Sequence, residues 1–120
     1  MDEPDKLVRR IVETISAFER RQMSVSPQSV AVTLGPGSVV VTLQGVTSPA
    51  ERDFARDREG RRLLERFYEE VFEASRPVFE TAVADALERA VERSKLTVDA
   101  ESGSAVILIS LGAEGKAAGA

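Results

Sequence analysis

The sequence predicts an α+β fold: an antiparallel four-stranded sheet from two β-hairpins, in the order α-ββ-α-α-ββ, packed against a long, kinked helix and an N-terminal helix. Three observations predict it. Two alternating apolar runs, Val30/Val32/Leu34 and Val39/Val41/Leu43, flank Gly35-Pro36-Gly37, which reads as a hairpin with one apolar face. A second pair of strands within 96–111 turns at "DAESG". Before and between the hairpins, apolar residues recur at helical spacing.

The first element is an amphipathic helix over 4–22, carried by Leu7, Val8, Ile11, Val12, Ile15 and Phe18, with Pro4 at a permitted first-turn position. The polar stretch "RQMSVSPQ" separates it from the first hairpin. Ser48-Pro49-Ala50-Glu51 then opens a short helix: Ser48 caps, Pro49 sits where a missing amide is harmless, and Glu51 closes a capping box. This helix is expected to end near Gly60, because glycine inside a helix costs about 1 kcal/mol relative to alanine.

From Arg61 to about residue 93 runs a longer stripe of Leu64, Phe67, Tyr68, Val71, Phe72, Val78, Phe79, Ala82, Val83, Ala86, Leu87, Ala90 and Val91, expected to face the core. Pro77 interrupts it at a cost of roughly 3 kcal/mol. Because the stripe keeps its phase across Pro77, a kinked continuous helix is favoured over two separate ones.

Length and composition frame the function. The 120 residues suit a single domain, 1–111, followed by a tail, 112–120, that has nothing to bury and is expected to be disordered. Acidic residues outnumber basic ones, 20 to 16, with the signs interleaved, which argues against a nucleic-acid partner. The chain has no cysteine and no histidine. That removes thiolate and imidazole ligands, the thiol nucleophile and the commonest general base. No catalytic residue, metal site or cofactor is therefore assigned. No apolar run approaches the roughly 18 residues of a spanning helix, so a cytoplasmic protein without direct membrane insertion is expected.

The remaining candidates for chemistry are charges. Glu69, Glu70 and Glu73, then Asp85, Glu88 and Glu92, read as a solvated helix face. Over 51–66, six arginines stand against five acids. Of these, Arg52, Arg56, Arg61 and Arg62 are candidates for a partner or anion surface, with plain solvation as the alternative, since exposed charge pairs contribute only tenths of a kcal/mol. In the final strand, Ala105, Ile107, Ile109 and Leu111 point one way and Val106 and Leu108 the other, so both faces call for cover. Either the N-terminal helix supplies it, or a second copy does, in a homodimer that uses the long helix and the back of this strand.

The stretch from "LQGVTSPAE" through "GRRLLERFYEEVFEASRP" to "VILISL" resembles the MpsC-like family, named after a subunit of a proposed sodium-translocating, membrane-potential-generating system. The resemblance spans roughly 7–111. It rests on Gly45, Val46, Thr47, Glu51, Gly60, Arg76 and the closing strand, with Ser48 inside the same motif. Those positions are also good capping and turn chemistry. One departure stands out: the family's Gly-Arg-Gly-Pro before the first strand is replaced here by "RQMSVSP", which keeps only Pro27. The resemblance implies a non-catalytic accessory or interaction domain with a protein partner in a membrane-associated system. The alternative is a small-ligand or anion-binding domain using the arginines of 52–66.

Overall fold

The computed structural model describes residues 3–113. The elements are α1 (Glu3–Gln22), β1 (Ser29–Leu34), β2 (Ser38–Gln44), α2 (Pro49–Phe54), α3 (Arg58–Leu87), β3 (Val91–Asp99) and β4 (Ser104–Leu111). The four strands form one antiparallel sheet in the order β1-β2-β4-β3. The α+β class and the two-hairpin sheet are as the sequence predicts. The join between the hairpins is the pairing of β2 with β4.

Alternation decides which face is covered. Val39, Val41 and Leu43 of β2, Leu96 and Val98 of β3, and Ala105, Ile107 and Ile109 of β4 are buried. Against this face lie α1, packed on α3 and β1, and α3, packed on β3. From the helices come Ile11, Ile15, Phe18, Phe72, Phe79 and Val83. Phe18, Phe72 and Phe79 meet edge to face with centroids 5.0–6.0 Å apart, a geometry that favours the ring quadrupoles. Among the described residues, α1 and α3 thus cover one side of the sheet.

Several boundaries differ from expectation. The short helix ends at Phe54, and Gly60 belongs to the first turn of α3, whose N-cap Asp57 accepts a hydrogen bond from the Gly60 amide at 3.2 Å. Glycine is needed there for a close approach, since a Cβ at position 60 would overlap the Phe54 carbonyl oxygen. The long helix ends at Leu87, not near 93, and β3 begins at Val91, not 96. Ala90 and Val91 are therefore outside the helix. Its stop is Glu88, a non-glycine residue with φ 53°, which leaves no glycine signal in the sequence. Phe67 and Val78 of the expected core stripe are 59% and 53% exposed, because the stripe is wider than the strip of helix that touches the sheet.

α3 runs unbroken through Pro77. Pro77 faces solvent, where water can serve the Glu73 carbonyl that loses its helical donor. The acidic residues of α3 are more than a wet face. Glu65 Oε2 accepts from the Ala100 amide at 3.0 Å and Glu69 Oε2 from the Val98 amide at 3.4 Å. Val98 lies on edge strand β3 and Ala100 just beyond its end, where free donors would otherwise invite pairing with another chain.

At the C-terminal end Gly112 is buried, its amide bonded to the Ala90 carbonyl at 2.9 Å and its own carbonyl held by Arg89. Residues 114–120 of the expected disordered tail lie outside the described residues.

Candidate functional site

The link from β2 to α2 is fixed by backbone geometry first. Gly45 turns the chain out of β2 at φ 73°, and the Val46 amide reaches the Gly103 carbonyl at 2.9 Å. Thr47 is buried, its hydroxyl directed at the Ala100 carbonyl at 3.4 Å, while Arg52 Nη1 donates to the Thr47 carbonyl at 2.6 Å. Gly103, at φ 77°, passes so close that a Cβ would lie 2.9 Å from Thr47 Oγ1. Val46 and Thr47 therefore tie the β2–α2 link to the β3–β4 turn, and Arg52 braces the link itself.

The next two motif residues cap α2. Ser48 Oγ accepts from the Glu51 amide at 3.1 Å, and Glu51 Oε1 accepts from the Ser48 amide at 2.8 Å. Glu51 has a further partner, the Tyr68 hydroxyl, which lies 3.0 and 2.9 Å from its two carboxylate oxygens. Burial and this carboxylate, together with the charge of Glu19, push the Tyr68 hydroxyl up to about 12. The tyrosine is thus held as a neutral donor.

Beside this junction opens a groove of about 600 Å³. One wall is the stretch after α1, including Met23 and Val25; the second is the Gly45–Ser48 link with Glu51; the third is α3, with Tyr68 at the floor and Phe67 at the rim. Close behind lies Glu19 of α1, 3% exposed, its carboxyl pushed by burial up to about 7. Neither Glu19 nor Tyr68 stood out as a polar site residue in the sequence. Glu19 had a signal: it falls four residues after Ile15 and eight after Ile11, on the apolar face of α1.

The other candidates are dispersed. Gly60 sits at the α2–α3 corner. Arg76, far along α3, bridges Glu73 at 3.2 Å and Glu80 at 3.3 Å, and Glu80 Oε2 in turn accepts from the buried Ser94 hydroxyl at 2.7 Å. Arg56 pairs with Asp53 at 3.6 Å and Arg61 with Glu101 at 3.3 Å, while Arg62 points to solvent. The structure does not gather Arg52, Arg56, Arg61 and Arg62 around one point. A carboxylate stands beside Arg56 and another beside Arg61.

The family described as "Na+-translocating membrane potential-generating system (MpsC)" matches residues 4–113. The chain belongs to the MpsC family. No curated protein and no solved structure matches it. In this MpsC chain the two stretches that define the resemblance, and its departure, meet at the groove: the Gly45–Glu51 link on one wall and residues 22–26 on the other. Ser24, in the stretch that departs from the resemblance, adopts φ 56°, the left-handed conformation that glycine takes without strain. The MpsC description names a translocating system and no reaction. Among the described residues no helix is long and apolar enough to cross a membrane, and no cluster of acidic residues is placed to hold a metal ion.

Proposed function

We propose that this MpsC chain is a non-catalytic accessory domain of a sodium-translocating, membrane-potential-generating assembly, acting at the cytoplasmic side as a homodimer and docking a protein partner at the groove beside Glu51 and Tyr68. The observation that carries the docking site is the pairing of a fixed floor with an open apolar rim. Glu51 is held by Ser48 and Tyr68, so the floor is pre-organised, while Phe67 at 59% and Leu63 at 55% exposure stand on the adjoining face of α3. Exposed large apolar residues beside a shaped groove mark an interaction surface. The anion-binding alternative draws less support, because Arg52, Arg56 and Arg61 are each engaged within the chain.

The test is co-purification with the membrane subunits of the translocating system after in-cell cross-linking. Phe67→Glu is expected to abolish recovery of those subunits with an unchanged melting temperature, and Arg62→Glu to leave recovery intact. Recovery unaffected by Phe67→Glu would refute the groove as the docking site.

A further inference from the structure

Among the described residues, no helix covers the sheet face opposite α1 and α3. The strand registers set its residues in rows that cross all four strands: Thr33, Val40, Leu108 and Lys95 in one, Ala31, Thr42, Val106 and Thr97 in the next. Leu108 is 48% and Val106 41% exposed at the centre. In a chain with 30% charged residues, the charges on this face between Arg93 and Asp99 all lie on one strand. They are Arg93 and Lys95 towards one end of β3 and Asp99 at the other.

That arrangement is self-complementary under one symmetry operation. Two sheets stacked face to face lie about 10 Å apart with their strand directions within about 30°. A two-fold axis along the strands would set β3 over β1 of the other copy and leave the β3 charges above Thr33, Ala31 and Ser29. An axis across the strands sets β3 over β3 with its ends exchanged. Arg93 then faces an aspartate, and Leu108 faces a valine.

We propose that this face binds a second copy of the chain about a two-fold axis perpendicular to the strands, so that Leu108 packs on the partner's Val106 and Arg93 pairs with the partner's Asp99. The proposal rests on the homodimer reading above and, of its two surfaces, takes the back of the final strand and not the long helix. The footprint of four strands, roughly 19 by 24 Å or about 450 Å², is below the about 800 Å² per partner of a standard interface. Association is therefore reversible and concentration-dependent.

Sedimentation equilibrium from micromolar to near-millimolar concentration tests it. Wild type is expected to shift from monomer to dimer, and Leu108→Arg to stay monomeric with native circular dichroism. Arg93→Glu and Asp99→Arg should each weaken self-association at least tenfold. Mixing those two variants should restore a dimer, because each cross pair then joins opposite charges. A wild type monomeric at every concentration would overturn both the homodimer and this interface. A wild-type dimer indifferent to Leu108→Arg and to both charge reversals would overturn this interface alone.

Discussion

The Tyr68 hydroxyl donates to the carboxylate of Glu51, 17 residues away, and lies 3.0 and 2.9 Å from its two oxygens. One proton shared between two acceptors ties the cap of a six-residue helix to the middle of α3. Loss of the hydroxyl in Tyr68→Phe is expected to lower stability by about 1–2 kcal/mol. Glu51→Ala should cost more than Ser48→Ala, itself about 1 kcal/mol, because it removes the capping box and strands the tyrosine. Urea denaturation of the three variants checks the order.

Tyr68 is the chain's one tyrosine, and there is no tryptophan, so its ionisation can be followed by absorbance near 295 nm without interference. The native protein is expected to titrate near 12. A midpoint at the ordinary value near 10 in native protein would contradict the buried hydrogen bond to Glu51.

Glu19 predicts a pH dependence. Its folded-state pKa of about 7 lies above the ordinary 4.5, so between those values the native state binds more protons than the unfolded state. Its contribution is fully present below about 4.5 and is lost as pH rises to about 7, a loss on the order of 3 kcal/mol for this buried group. Glu19→Gln keeps a neutral side chain at every pH. It should match wild type at pH 4.5 and exceed it at pH 8, as measured by melting temperature across the range.

Gly60→Ala should destabilise the fold although alanine is the better helix former by about 1 kcal/mol. The new Cβ would collide with the Phe54 carbonyl, a backbone atom that moves only if the α2–α3 corner opens. An unfolding midpoint at or above wild type would remove this reason for the glycine.

Ser24→Gly acts in the opposite sense. It places glycine at a position with φ 56°, where a side chain costs about 1–2 kcal/mol. A gain of about 1 kcal/mol is expected, less the entropy glycine restores to the unfolded chain.

What the sequence determined by itself is local. Alternation in Val30–Leu34 and Val39–Leu43 and the stripe of Ile11, Ile15 and Phe18 each demand one buried face, so strands, helices and antiparallel hairpins follow from side-chain periods of 2 and 3.6. The same holds for Ser48 and Glu51, whose hydrogen bonds span three residues. The end of α3 was not legible, because Glu88 adopts the left-handed conformation to let Arg89 clamp Pro36 and Gly112, partners distant in sequence. Nor was the work of Glu65, Glu69 and Glu80, whose donors lie on β3 or just after it, nor the meeting of Tyr68 with Glu51. Those contacts depend on how far apart two packed elements lie, and burial then sets the strength of each polar group. A periodic pattern records which face of an element is buried, but only the assembled fold decides what that face meets.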